Sequence, residues 1–291
     1  MATPRVAVLM ASFNRRSLTL ASLASLFHQK GLEQVQLDVY LLDDASTDGT
    51  EEAVRLEFPQ VRILKGDGNR FWNGGMRIAF AAARQAGYDF YVLFNDDTML
   101  DEDALARLLS CERVQKEAGN TAIVVASFRS PITGKRSYGG QRKKAHGLRI
   151  GIRGIDPDPH RAISCDTMNG NFALIPAEIV EVLGILDGVY RHQMGDFDYG
   201  LRATRAGYKV IMAPGYFGTC KENGTQGTWR DHTVPLAKRW KNLMSPKGVP
   251  PKEWFVFITR HFGWRWPLYA VSPYLKTAMP WIFPRKSGMV G

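Results

Sequence analysis

The chain has 291 residues, of which 45% are hydrophobic and 23% charged, with a formal net charge of +10. That length and balance exclude a disordered polypeptide and allow one or two domains with a sizeable core. The charge is lopsided: residues 233–291 carry ten Lys/Arg against one acid, Glu253, while the first 232 residues hold 28 bases and 27 acids. A near-neutral main region argues against a nucleic-acid partner.

From Val6 to about Leu109, short apolar runs alternate with amphipathic stretches, which predicts strands and helices in turn and a parallel sheet with right-handed crossovers. Val6–Met10 is the first strand. A helix follows Asn14, with Leu18, Leu23, Leu26 and Phe27 turned inward, and Gly31 ends it. Val39–Leu42 is the second strand, and a helix after Ser46–Thr50 turns Ala53, Val54 and Leu56 inward until Phe58-Pro59 breaks it. Val61–Leu64 is a short strand, and Gly74-Gly75 leads into an alanine-rich helix from Met76 to about Gln85. Phe90–Phe94 is another strand, after which Asp101-Glu102-Asp103 places negative charge in the first turn of a helix. Ala122–Phe128 reads as a strand. Arg129–Cys165, rich in Gly, Arg and Lys, has no clear period and is expected to form a mobile loop or irregular hairpin. A strand over Phe172–Ile175 closes at Pro176, a helix runs from Tyr199 to Ala206 behind Asp196-Phe197-Asp198, and Lys209–Ala213 returns as a strand.

Three of these strands stop on polar or acidic residues: Ser12-Phe13-Asn14, Asp43-Asp44-Ala45-Ser46 and Asn95-Asp96-Asp97. In open α/β sheets ligands bind beyond the carboxyl ends of the strands. Asp and Ser there also cap helices and form turns, but two adjacent carboxylates exceed what one cap requires. A carboxylate of the Asp43-Asp44 pair can accept an N–H from a pyrimidine base. Asn95-Asp96-Asp97 offers carboxylates to Mg²⁺ or Mn²⁺, which is commonly held by one or two of them plus substrate phosphates. The segment Lys65–Arg77 combines glycines that permit close backbone approach, a following helix N-terminus that favours anions, and Trp72 as an apolar plate; a structural turn around a buried Trp is the other reading.

Taken together, Val-Leu-Met-Ala-Ser-Phe-Asn at 8–14, Asp-Asp-Ala-Ser-Thr-Asp-Gly-Thr at 43–50, Asn-Asp-Asp at 95–97 and Gly-Asp-Phe-Asp-Tyr-Gly-Leu-Arg at 195–202 resemble the family 2 glycosyltransferases of bacterial cell-surface polysaccharide type. The resemblance covers roughly residues 5 to 215. It implies an α/β GT-A (Rossmann-like) fold, a mostly parallel central sheet flanked by helices, and inverting transfer of a hexosyl or deoxyhexosyl group from a nucleoside-diphosphate sugar to a glycan or lipid-linked hydroxyl. It further implies that Asp44 contacts the nucleobase, Asp96 the ribose or metal, and Asp97 the Mn²⁺ or Mg²⁺ that bridges the diphosphate. Ser12, Asn14, Trp72, Gly74 and Asn171 fall on its donor-binding segments, and Asp196 matches its catalytic base. Most members carry Glu-Asp where this chain has Gly195-Asp196; a helix N-cap role for Asp196, or Asp198 as the working base, are the alternatives. Cys220 and His232 follow the last core strand, where some relatives place a further metal or phosphate ligand; for His232 an ordinary surface or packed histidine is the favoured reading.

Residues 1–232 are thus expected to form the catalytic domain and 233–291 a basic aromatic helical extension. The extension holds five of the seven tryptophans, Trp240, Trp254, Trp264, Trp266 and Trp281, with Phe283 and other aromatics among them, and its prolines keep helices short. Trp and Tyr favour the bilayer interface and Lys/Arg anionic headgroups, so a peripheral contact with the inner face of the cell membrane is expected; a cover for the catalytic domain or a homodimer interface are the alternatives. Cys111, Cys165 and Cys220 form no disulfide or zinc pattern, consistent with the cytoplasm, and the five or so apolar residues before Ser12 are too few for a signal-peptide core. A sugar nucleotidyltransferase would show a glycine-rich basic loop where Ser12–Arg16 stands, and no G-x-G-x-x-G supports a dinucleotide enzyme. A non-enzymatic basic membrane- or nucleic-acid-binding protein remains the third class, and it would bind polyanions without metal-dependent nucleotide binding.

Overall fold

The computed structural model describes residues 3–279. Trp281, Phe283 and the rest of the chain end lie outside the described residues. Strands β1 (Arg5–Ser12), β2 (Gln36–Asp43), β3 (Arg62–Lys65) and β4 (Phe90–Phe94) alternate with helices α1 (Arg16–Phe27), α2 (Thr50–Glu57) and α3 (Phe71–Ala86). Then come β5 (Thr98–Leu100), α4 (Ala104–Glu117), β6 (Ala122–Val125), β7 (Phe128–Arg129), β8 (Arg136–Tyr138), β9 (Gly140–His146) and β10 (Arg149–Gly154). The chain continues through β11 (Ile163–Cys165), β12 (Thr167–Met168), β13 (Phe172–Pro176), α5 (Ala177–Leu183), α6 (Gly195–Arg205), β14 (Lys209–Met212) and β15 (Gly218–Cys220). It ends in α7 (Leu236–Met244), α8 (Pro251–His261), a 3₁₀ turn at Gly263–Arg265, α9 (Trp266–Ala270) and α10 (Ser272–Ala278). Among the described residues, no helix is long and apolar enough to cross a membrane.

Eight strands form the central sheet in the order β11-β14-β6-β13-β4-β1-β2-β3. β1 pairs in parallel with both β2 and β4, and β6 with β14, whereas β13 runs antiparallel to β4 and β6, as does β11 to β14. The alternating stretch pairs in parallel as expected, β1 with β2 and β4 and β2 with β3, and the antiparallel strands β11 and β13 come from later in the chain, which leaves the sheet mostly parallel. Side chains alternate across β1: Ala7 and Leu9 join one core with Met76, Phe80 and Tyr199, while Val6, Val8 and Met10 join the other with Leu23, Leu26 and Leu105. Covering both faces is what makes these strands read as continuous apolar runs.

Several local expectations are corrected. Thr19, Ser22, Leu23 and Leu26 form the buried stripe of α1, which leaves Leu18 39% exposed; Leu56 of α2, about 200° around from Val54, is 82% exposed. Gly74 and Gly75 lie inside α3 rather than before it, because a Cβ on Gly75 would come within 2.8 Å of both Ala11 and Leu42. The glycine lets the helix settle on the sheet. Asp101–Asp103 precede α4 instead of filling its first turn, and α6 begins at Gly195, so Asp196 and Asp198 stand in that helix's first turn. Arg129–Cys165 contains a regular antiparallel hairpin, β9 with β10, paired from Gln141–Gly154 to His146–Arg149.

Candidate functional site

The order of strands reverses between β1 and β4, since β1 continues toward β2 and β4 toward β13. Such a reversal opens a crevice beyond the carboxyl ends of the two strands. Ser12, Asn14 and Arg15 leave β1 on one side of it, and Asn95, Asp96 and Asp97 leave β4 on the other. Arg15, which the sequence patterns do not single out beyond its basic charge, spans the gap: its two terminal nitrogens donate to Asp96 Oδ1 at 2.9 Å and to Asp97 Oδ2 at 2.8 Å. Burial, with Asp97 adding repulsion, pushes the Asp96 carboxyl up to about 7 although Arg15 opposes the shift.

Asp44 is buried and its carboxylate is filled by the backbone: Oδ1 accepts Gly68 N–H, and Oδ2 accepts those of Arg70 and Phe71. It thereby fixes the loop that enters α3. Asn14 ties β1 to the loop after β2, donating its N–H to Ser46 Oγ and accepting Thr47 N–H at 2.7 Å. Ser12 is buried and its hydroxyl meets that of Thr19 at 2.7 Å. Asn14, Ala45, Phe71 and Met194 are the non-glycine residues with positive φ among those described, and each sits on a segment bordering the crevice. Backbone strain of this kind, roughly 1–3 kcal/mol per residue, persists where surrounding structure enforces it and clusters at functional sites.

The loop Asn169–Asn171 lies between the carboxylates of Asp97 and Asp196. Gly170 donates its N–H to Asp196 Oδ2 at 3.0 Å, and a Cβ on Gly170 would strike the Trp72 ring. Trp72 in turn donates its indole N–H to Asn95 Oδ1 at 2.7 Å, two residues before Asp97. Next in the loop, buried Asn171 donates from Nδ2 to Cys220 Sγ at 3.3 Å, and that thiol faces Asp97 Oδ1 at 3.6 Å. Asp97 and Asp196 are thus each within two contacts of one three-residue loop. His232 is exposed and takes no part in this set.

Asp196 is half-buried and accepts only backbone N–H groups, from Gly170 and Phe197; burial pushes its carboxyl up to about 6 against those two donors. Asp198, one residue beyond Phe197, is fully buried and committed elsewhere: it accepts from Arg202, Arg260, His261 and Tyr190. No face of it is open to an acceptor. Gly195 has a clear cause in this chain, for the Asn73 side-chain oxygen lies where a Cβ would stand. Gly74, in the first turn of α3, donates its N–H to the Arg191 carbonyl, as does Asn73.

No curated protein matches the chain. Among solved structures, the mannosyltransferase PcManGT of Pyrobaculum calidifontis, in complex with GDP-Man and Mn2+, matches with a TM-score of 0.55 and 21% identity, covering 98% of this chain and 73% of its own. That likeness concerns the fold, which is the GT-A fold. The family pattern of glycosyl transferase family 2 matches residues 7–180, more than half of the chain, and this glycosyltransferase therefore belongs to that family.

Proposed function

We propose that the protein is an inverting glycosyltransferase that moves a hexosyl or deoxyhexosyl group from a nucleoside-diphosphate sugar to a hydroxyl of a glycan or lipid-linked acceptor, in cell-surface polysaccharide synthesis. The observation that carries this reading is the Asn169–Asn171 loop, which connects a carboxylate suited to a metal with one suited to a proton. The acceptor oxygen attacks the anomeric carbon as the bond to the diphosphate breaks and its electron pair leaves with the diphosphate. Asp196 takes the hydroxyl proton, and its raised affinity for protons places it in the range where a general base works well.

Among the described residues no three His, Cys, Asp or Glu side chains form a complete metal cage. The donor set nevertheless fits Mn²⁺ or Mg²⁺ if Asp97, with Asp96 beside it, supplies carboxylate oxygen while the diphosphate and water fill the remaining positions. When bound, the cation neutralises charge growing on the leaving diphosphate. Trp72, Gly74 and Asn171 border the donor, and Asp44, whose carboxylate accepts from the backbone of Gly68, Arg70 and Phe71, keeps the loop beside the nucleobase in shape. Residues 1–232 supply this chemistry; 233–291 add a peripheral, cytoplasm-facing membrane contact, for which their Trp, Tyr, Lys and Arg content speaks.

Calorimetry with UDP, dTDP and GDP, with and without Mn²⁺, tests the assignment. One nucleotide should bind in a metal-dependent manner, Asp97→Ala should abolish the metal dependence, and Asp196→Asn should retain binding while losing transfer. Nucleotide binding that ignores both metal and Asp97 would overturn it.

A further inference from the structure

We propose that the tip of the β9–β10 hairpin, together with the turn between α8 and α9, is a docking face for an anionic membrane surface. The inference rests on the membrane contact proposed above and assigns it to residues that lie partly outside the extension. Between Gly140 and Gly154 the hairpin carries Arg142, Lys143, Lys144, His146, Arg149 and Arg153 and no acid. At its turn, Leu148 is 59% exposed. The neighbouring turn presents Trp264 at 66% exposure and α9, just after it, Leu268 at 52%, apolar side chains near the cations of the hairpin.

The two pieces are fixed to each other. Arg265 donates from Nε to the Gly147 carbonyl at 2.9 Å, the Ile150 N–H donates to the Tyr269 hydroxyl at 2.6 Å, and Lys143 donates to the His261 carbonyl. Beneath them Ile150 packs with Phe257, Ile258 and Phe262. Lys143 is crowded by Arg205 and Arg265, with Asp166 as the acid among its neighbours; burial first and those two guanidinium groups next make its ammonium easier to deprotonate. Concentrated like charge of this kind is relieved by an anionic partner.

Charge also selects among occupants. A second copy docking on the same face would set cation against cation. Nucleic acid would neutralise the cations but would leave Leu148 and Leu268 without a stacking surface. An anionic bilayer meets both needs, with headgroups for the Lys and Arg side chains and an interface for Trp264 and the leucines.

The foot of the hairpin lies at the site. β9 pairs with β12, and Gln141 donates from Nε2 to Asn169 Oδ1 at 2.6 Å, one residue from the Gly170 that holds Asp196. From Gln141 to His146 the strand extends roughly 17 Å at about 3.4 Å per residue. It is a strut between the base and the docking tip, of a length that a lipid-carried glycan can span.

The full chain is sedimented with phosphatidylcholine vesicles, alone or with one third phosphatidylglycerol, at low and high salt. Wild type should bind the anionic vesicles alone and less at high salt. Lys144→Ala and Arg149→Ala should each weaken that binding about five-fold, and Leu148→Asp and Trp264→Ala should weaken it further, while donor hydrolysis in solution stays at the wild-type rate. Wild-type binding in all four variants, with loss in Trp240→Ala, would overturn the hairpin assignment and leave a membrane contact through the extension. Wild type binding neither vesicle would overturn the membrane contact itself, as would tighter binding to single-stranded RNA than to vesicles or self-association through Leu148 and Trp264. Donor hydrolysis is measured without vesicles, so failure of the catalytic reading is seen separately.

Discussion

The crevice and the clamp behind α6 both unite acidic side chains with arginine, and they do so to opposite ends. In the clamp, Asp198 is surrounded by donors from Arg202, Arg260, His261 and Tyr190, and His261, Arg202 and Arg260 hold its carboxyl down at about 2 despite its burial. In the crevice, Arg15 serves Asp96 and Asp97 together, and Asp196 has backbone N–H groups alone. Two carboxylates there, Asp96 and Asp196, are pushed up to about 7 and about 6. A carboxylate with donors to spare locks structure; one that is short of them keeps its capacity to take a proton or a cation.

The sharpest break in that contrast is Asp196→Asn. Turnover at saturating donor should fall by about 10²–10⁴-fold, the usual contribution of a positioned base, with the unfolding midpoint unchanged. A stability loss without a rate loss would exchange the roles of the two residues. Next in size, Asp198→Ala removes the fully buried acceptor shared by Arg202, Arg260 and His261 and should cost about 3–5 kcal/mol in chemical denaturation.

Acid separates the two regions a third way. Because Asp196 holds its proton up to about pH 6, kcat/KM should drop below that point by about tenfold per pH unit. Asp198 works with the other sign. Its carboxyl is depressed to about 2, so its stabilisation is present above the ordinary value of about 3.9 and fades as pH falls from there toward 2. Between pH 6 and 4 the enzyme should therefore lose activity while circular dichroism still reports the native fold.

The strand ends were legible because strands covered on both faces read as apolar runs, and whatever polar residue ends such a run stands at the sheet's edge. Asp44, Asp96 and Asp97 were reachable that way; Asp196, in the first turn of α6, was reached only through the family resemblance of residues 195–202. The start of α3 was not, since Gly75 serves close packing on Ala11 and Leu42, and contact across space leaves no local mark distinct from a turn. β9 and β10 were hidden for another reason: a ribbon of Arg and Lys with few buried positions shows no period of two. Arg15 could have been found by its place one residue after Asn14, opposite the acidic strand end. The partners of Asp198 could not, as Arg260 and His261 lie more than sixty residues along the chain.

One consequence concerns how the enzyme is trimmed for laboratory use. Glu253 of α8 accepts from the Arg191 side chain and backbone, and the Arg191 carbonyl receives the N–H groups of Asn73 and Gly74 at the head of α3. Cutting after residue 232 would remove Glu253, Arg260 and His261 in one stroke. The shortened product would lose supports under both α3 and α6, so a minimal expression fragment has to retain α8.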